Sequence, residues 1–512
     1  MKSQLNRLEW SKLFNQERRR PKDEQAPRTK ESSPVRTEIE RDGDRILFST
    51  PLRRLDDKTQ VFPLERHDSV RNRLTHSHEV ASLARSIGVY LAFDLMKGQI
   101  DGSLLPERNL PAMLYAISLV HDLGNPPFGH QGEAAIQQWF EKNRHLTIEE
   151  SVPGSPELSD AMKRDFLKFE GNAQTFRLVS RLQIVNDDRG LNLTYGTLGA
   201  LLKYTVASDK ALGKDAPYAG ARKHGYFQSE ARIVQEVREA TGLAADIRHP
   251  LTYIMEACDD IAYSVIDAED ALKKRLASFP DLLEALEVKA MVAPADGDLS
   301  PQLATLNKVV KEGREIRRKL HGSESGKKLS PAELNDVSMQ KFRAFVISEM
   351  VKAVSEAFVR HLDEIFSGRF TGDLMSHSDA SLVTDSLKDF DKAVAYKNRE
   401  VFRLEAQGTK VIHGLMDTFW AAITQRKDPV NPASLRKTAE ATYVYSCISE
   451  NYRRAFEMSD NSDGLPLRYR ECQLLTDMIS GMTDRFAVAL YDDLRRQRFL
   501  QPTKPADHMA KG

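Results

Sequence analysis

Apolar residues along the chain recur at helical spacing over most of its length. Val80, Leu83, Ile87, Leu91 and Leu95 step by 3, 4, 4 and 4, which predicts an amphipathic helix over Ser69–Met96 capped by Asp68 or Ser69. Met113, Leu114, Ile117, Leu119 and Val120 predict a second, apolar helix that ends in His121-Asp122. Ile254, Cys258, Ile261, Val265, Ala268 and Leu272 form the stripe of a third, with Asp259, Tyr263 and Asp267 stepping by four beside it. There is no row of short alternating strands and no βαβ rhythm, so the expected fold is all-α, a multi-helix bundle with a helical C-terminal extension. Gly/Ser/Pro-containing stretches at 151–159, 292–301 and 321–331 are expected loops. No repeat of solenoid length is visible. The expected division is a polar N-terminal arm over 1–44, a motif-dense core over 45–290 and a plainer helical region over 291–512.

Charge and composition then exclude several classes. Lys+Arg and Asp+Glu are both 74 in 512 residues, so the chain is not a polycation built for nucleic acid. The arm still holds ten basic and seven acidic residues over 1–40, including Arg18-Arg19-Arg20, with Trp10 and Phe14 as docking side chains, and reads as mobile or loosely packed. The apolar run Ala112–Val120 is nine residues, far short of the roughly 18 that a membrane span needs. The start has no apolar signal-peptide core. Three cysteines, Cys258, Cys447 and Cys472, make neither a disulfide framework nor a zinc cluster, and a cytoplasmic location is the default.

Candidate chemistry sits on the three helices. At 100° per residue His76 lies four before Val80 and seven before Leu83, so it faces the core, while His78 faces out. Arg73 is one turn earlier on the His76 face. Taken alone, His76 reads as an ordinary packed histidine. An Asp beside a His at the end of a buried helix, as in His121-Asp122, is costly unless paired or bound to a cation. Leu-Gly-Asn-Pro-Pro-Phe-Gly-His130 follows as a non-helical turn, and Glu133 is three residues after His130, within reach on a first helical turn. A histidine oriented by a carboxylate suits proton transfer near neutral pH. His76, His121, Asp122 and Asp259 together offer two imidazoles and two carboxylates from three helices, a mixed N/O set that suits Mn, Fe or similar ions better than a thiolate-bound structural zinc. Arg53-Arg54, Lys58-Thr59-Gln60, Lys203-Tyr204 and Arg222-Lys223 add positive charge of the kind a polyphosphate requires, although each taken singly reads as surface charge. Arg453-Arg454 and Arg468-Tyr469-Arg470 also read as surface charge.

With these residues in view, the chain resembles the deoxyguanosinetriphosphate triphosphohydrolase family of the HD superfamily. The matching stretches are 49–62, 68–80, the long block His121-Asp-Leu-Gly-Asn-Pro-Pro-Phe-Gly-His-Gln-Gly-Glu133, Phe169-Glu-Gly-Asn-Ala-Gln174, Leu191-Asn-Leu-Thr-Tyr195, Gly225-Tyr-Phe227, Asp259-Asp-Ile-Ala-Tyr263 and Gly481-Met-Thr-Asp484. The resemblance implies an HD-type catalytic core with one divalent metal on His76, His121, Asp122 and Asp259, and Mg²⁺ entering with the triphosphate. It implies hydrolysis of a deoxynucleoside triphosphate, dGTP favoured, to deoxynucleoside and inorganic triphosphate. His130 would be the catalytic acid/base and Glu133 its orienting partner. Arg73 would meet the α-phosphate, Tyr263 would line the triphosphate pocket, and Gln60 and Asp267 would read the sugar 3′-hydroxyl. Asn125 stands where some relatives carry a His, which argues against a relay of two histidines. Lys203, Lys223 and Asn172 are further pocket candidates. Family members are homo-oligomers, and the arginine-rich arm together with relatives that respond to single-stranded DNA makes such DNA a candidate partner. Two other readings remain: another HD phosphohydrolase, such as a nucleotidase or alarmone hydrolase, and a nucleic-acid-binding regulatory protein with a secondary HD site.

Overall fold

Several of the long helices begin where a polar side chain takes up a free backbone N–H, as Asn72, Ser278 and Ser330 do. The computed structural model describes residues 7–19, 35–61, 70–183, 189–293, 300–395, 399–458, 464–497 and 499. Among them the regular structure is helical, and extended pairing is limited to isolated bridges such as Thr59 with Asn72. The first site helix is Arg73–Tyr90, later than the pattern predicts, because Asn72 and not Asp68 or Ser69 closes its start. Asn72 Oδ1 accepts from Thr75 N at 3.0 Å, and Thr75 Oγ1 accepts from Asn72 N at 3.2 Å. The residues Asp68, Ser69, Arg20 and 501–512 lie outside the described set. Beyond Tyr90 the helix widens into one π turn, Leu91–Leu95. The buried face is Val80, Ala84, Ile87 and Leu91, with Leu83 only half-buried at its edge.

Helix Arg73–Tyr90 packs along Pro106–Val120, and Pro250–Lys273 lies against both. This triad holds the centre of one continuous apolar core that reaches from Leu8 to Leu494. Two expected boundaries are therefore not breaks. Helix Glu38–Leu47 runs across residue 44 and packs on Pro106–Val120; helix Phe279–Val292 runs across residue 290. The described part of the arm is firmly seated rather than loose. Leu8, Leu13 and Phe14 are buried, and Arg18 is buried with its guanidinium on Glu38, Asp42 and the Asn192 carbonyl.

The C-terminal region does more than extend the bundle. Helix Leu467–Ser480 is buried almost throughout. Its Asp477 takes Arg177 Nη2 at 2.8 Å and Gln174 Nε2 at 2.9 Å from the helix Gly171–Arg177. Helix Arg399–Thr424 covers Gly129–Lys142, where Trp139 Nε1 donates to Asp417 Oδ1 at 2.7 Å. The run Arg468-Tyr469-Arg470 is not surface charge. Arg468 pairs with Glu471 and Glu150, Tyr469 is fully buried with its hydroxyl on Asp165, and Arg470 donates to the Phe456 carbonyl.

Candidate metal centre and active site

Three helices deliver a compact donor set. His76 comes from the first turn of Arg73–Tyr90, His121 from the C-terminal end of Pro106–Val120 and Asp259 from the middle of Pro250–Lys273. One donor atom from each lies within 4.8 Å of the others. His76 Nε2 is 3.1 Å from Asp259 Oδ1, and His121 Nε2 is 3.6 Å from the same oxygen. His78 is exposed, as the helical wheel requires.

The chemistry of this set fits a cation. His121 Nδ1 sits 2.7 Å from the Ser118 carbonyl. A carbonyl only accepts, so Nδ1 carries the hydrogen and a neutral ring keeps its lone pair on Nε2. That is how a metal-ligating histidine is held by a second partner. Nε2 is buried and has no hydrogen-bond partner. Burial works against a charged ring here, but the Asp122 and Asp259 carboxylates raise the His121 pKa to about 9. A divalent ion would compete with that proton for the same negative pocket. Asp259 itself is held well below the usual carboxylate range: burial opposes this, and His121, His76 and Lys203 outweigh it.

Asp122, the fourth expected ligand, stands beside the set with Oδ2 3.7 Å from His121 Nε2, and both of its oxygens are engaged. Oδ2 accepts from Arg73 Nη1 at 2.5 Å and Oδ1 from Asn125 Nδ2 at 2.6 Å. Arg73 and Asn125, expected as substrate-binding residues, are thus both bound to the Asp122 carboxylate in this structure.

The turn after Asp122 places the candidate proton carrier. Phe128 and Gly129 both take the left-handed conformation, with φ of 63° and 57°, a costly choice for phenylalanine. Asp484 helps hold it, Oδ1 accepting from Phe128 N at 3.0 Å. Helix Gly129–Lys142 then starts, so His130 and Glu133 share its first turn. His130 Nδ1 donates to Glu133 Oε2 at 2.9 Å, and Glu133 Oε1 accepts from Gly171 N at 2.8 Å. Glycine at 171 permits this approach: a Cβ there would stand 2.2 Å from Asn125 Oδ1 and 2.7 Å from Glu133 Oε1, so both side chains would have to move. Glu133 is buried, whereas the His130 side chain is 84% exposed and open to a substrate. The hydrogen bond to Glu133 raises the His130 pKa, against partial desolvation by the surrounding protein and the nearby charges of Arg73 and Lys223.

The other candidates fall into two groups. Lys203 Nζ is 3.7 Å from Asp259 Oδ2 and 3.8 Å from Glu256 Oε1, beside the donor set. Tyr263 and Asp267 follow Asp259 on its helix, half-buried and buried respectively. Gln60 is half-buried with its Oε1 shielded and without a partner. By contrast, Lys223 and Asn172 are both tied to Glu170, at 2.7 Å each. Two of the cationic candidates are structural. Lys58 is buried and donates to the carbonyls of Asn125 at 2.6 Å and Ser480 at 2.7 Å; burial pushes its pKa down to about 7. Arg54 donates to Tyr452 and the Gly481 carbonyl. Arg53 and Arg222 are exposed. Sequence reasoning did not single out Glu170, Glu256 or Asp484 as supports. Glu170 and Asp484 lie in the recognisable stretches 169–174 and 481–484, but no spacing rule shows what they hold.

The HD-domain family profile matches residues 73–183, from Arg73 through His76, His121-Asp122 and the His130–Glu133 pair. Fold and donor set thus define an all-α HD-domain protein with a divalent-metal site. A deoxyguanosinetriphosphate triphosphohydrolase-like protein of Listeria innocua is 34% identical over 491 residues, covering 95% of this chain and 99% of the relative. A deoxyguanosinetriphosphate triphosphohydrolase of Klebsiella pneumoniae is 31% identical over 529 residues, covering 96% and 98%. The chain belongs to the deoxyguanosinetriphosphate triphosphohydrolase family.

Proposed function

We propose that this enzyme hydrolyses deoxynucleoside triphosphates, with dGTP the favoured substrate, to deoxynucleoside and inorganic triphosphate. The observation that carries the reading is the His76–His121–Asp259 cluster, with its unpartnered His121 Nε2, on the same HD segment as the His130–Glu133 pair. His76, His121 and Asp259 would hold a divalent ion such as Mn²⁺ or Fe²⁺, with Asp122 as fourth donor once Arg73 turns from it to the α-phosphate. The bound ion supplies Lewis-acid stabilisation of the α-phosphate charge, and Mg²⁺ would accompany the triphosphate as its oxygen-ligated counter-ion.

The protein groups account for the rest of the chemistry. Water attacks the α-phosphorus in line and the nucleoside 5′-oxygen leaves. An alkoxide is a poor leaving group, so a proton must reach it; His130, whose pKa Glu133 raises, is the donor. Arg73, Lys203 and Lys223 supply fixed positive charge to the phosphate oxygens. Tyr263 lines the triphosphate side, Gln60 and Asp267 take the sugar 3′-hydroxyl, and Asn125 and Asn172 support the pocket wall.

Three unpaired cysteines suit a reducing compartment, which favours the cytoplasm. No described helix is long and apolar enough to cross a membrane. A homo-oligomer is the proposed assembly, supported by the apolar exposure of Val288, Met291 and Val292 on one helix end; single-stranded DNA is the proposed effector class. The deciding experiment incubates the protein with each dNTP and with GTP, in Mg²⁺ or Mn²⁺, and resolves the products. Inorganic triphosphate is expected. Pyrophosphate or orthophosphate as the first product would overturn the reaction, and GTP cleaved as fast as dGTP would overturn the sugar recognition.

A further inference from the structure

Glu170 is a buried carboxylate to which the chemistry above gives no role. It sits in the N-cap seat before the helix Gly171–Arg177, with extended backbone, yet its side chain makes no capping bond to that helix. Short polar side chains such as Ser, Thr, Asp and Asn suit that seat, so local helix formation does not call for a glutamate. Its two oxygens are used elsewhere. Oε1 accepts from Asn172 Nδ2 and Oε2 meets Lys223 Nζ, at 2.7 Å each. Stability alone does not call for this arrangement either, because apolar residues of similar volume often replace a buried ion pair without loss.

The two partners point to its use. The Glu170 side chain is 6% exposed, whereas that of Lys223 is 42% exposed. An ammonium carries three hydrogens; Glu170 takes one from the buried side, and the others are left for the open side. Asn172 is half-buried and gives Glu170 one of its two amide hydrogens. Burial works against the Lys223 charge, but the Glu170 and Glu133 carboxylates outweigh it and raise its pKa, so the ammonium persists. Lys223 is close enough to His130 for its charge to lower the pKa of the exposed imidazole. The backbone joins the two pairs, since Gly171 N donates to Glu133 Oε1 at 2.8 Å. Three consecutive residues, 170, 171 and 172, thus fix Lys223, Glu133 and Asn172 with respect to one another.

We infer that Glu170 is a positioning residue, which holds Lys223 and Asn172 as a fixed pair of donors for the phosphate chain beside the His130–Glu133 pair. The inference rests on the proposed function and concerns a residue that does not itself touch the substrate. Lysine is among the side chains with most rotamer freedom to lose. Held by Glu170 before the substrate arrives, Lys223 loses that freedom on folding and not again on binding, which strengthens binding of the phosphates. The dependence is mutual. Burial, and then the Glu133 charge, push the Glu170 pKa up, and Lys223 and Asn172 oppose them.

The test uses the full chain and Glu170→Gln, which keeps the shape of the side chain and removes its charge. It measures KM and kcat for dGTP by triphosphate release, the inhibition constants of inorganic triphosphate and of deoxyguanosine, which has no phosphate, and Tm. KM and the triphosphate constant are expected to rise together by about tenfold, as for one weakened charge-assisted hydrogen bond. The deoxyguanosine constant is expected to stay within about twofold of wild type, and kcat to fall less than KM rises. Glu170→Asp keeps the charge on a side chain one methylene shorter. It is expected to fall between the two proteins, and it gives the reading if the glutamine variant does not fold. In a Lys223→Met background Glu170→Gln is expected to move the triphosphate constant by no more than about twofold, because the charge it holds is gone. KM and triphosphate constants unmoved in both Glu170 variants overturn the inference. So does a loss that deoxyguanosine shares, or one that persists in full in the Lys223→Met background. If the wild type releases triphosphate from dNTPs and only these constants fail to move, this inference alone falls. If it releases no triphosphate from any dNTP, the proposed function falls and this inference falls with it.

Discussion

Exchange of Glu133 for glutamine removes one negative charge from behind His130 while keeping the shape of the side chain. The carboxylate serves two donors, His130 Nδ1 at 2.9 Å and Gly171 N at 2.8 Å. An amide has one acceptor oxygen, so one of these donors must then face an NH₂ group. The Gly171 donor is backbone and stays in place; the exposed histidine is the group that lets go. A hydrogen bond to a charged group is worth about 1.5–3 kcal/mol, which at 1.36 kcal/mol per tenfold converts to about 10- to 150-fold in kcat. His130→Ala removes the proton donor itself and is expected to cost about 10²–10⁴. The two losses share one pathway, so the double variant should be no slower than His130→Ala alone. The pH profile gives an independent sign. Glu133 raises the His130 pKa, and the acid must be protonated to act, so the high-pH limb of kcat moves to lower pH in Glu133→Gln. Triphosphate release across pH for the four proteins of the cycle is the assay. If Glu133→Gln slows the His130→Ala background by the same factor as the wild type, or leaves the limb unmoved, Glu133 does not act through His130.

Three further outcomes follow from the same structure. Chelation should reduce activity to background and added Mn²⁺ should restore it; at 100 times Kd the ion should also stabilise the fold by about 2.7 kcal/mol, and His121→Ala should abolish both the bound metal measured by mass spectrometry and that stabilisation. Asp477→Ala takes from the buried Arg177 one of its two carboxylates and leaves it Glu230, and should cost about 1.5–3 kcal/mol in urea unfolding; a loss below about 1 kcal/mol would mean that Glu230 alone satisfies Arg177. Burial pushes the Asp165 pKa up to about 7, against hydrogen bonds from Ser208, Tyr469 and Gln228. The folded state therefore holds a proton that the unfolded chain releases near its ordinary value of about 4, so this contribution is present below that pH and is lost as pH rises to about 7. Asp165→Asn should flatten the fall of Tm over that window, and an unchanged slope would reassign it to another group.

The sequence by itself determined whatever depends on spacing within one helix. A residue's angular position follows from 100° per step, so His76 could be placed inward and His78 outward, and both are found so. His130 and Glu133, three apart after a Gly/Pro turn, meet for the same reason. Helix starts were less legible, because several polar residues compete for each cap; Asn72 and Thr75 won by bonding each other's backbone. The tertiary structure alone decided which distant groups share space. His76 and Asp259 are 183 residues apart and 3.1 Å distant, and no pattern along the chain encodes that separation. It also decided which charges are spent on structure. Lys58 and Arg54 look like phosphate ligands in sequence, yet packing has turned them onto carbonyls.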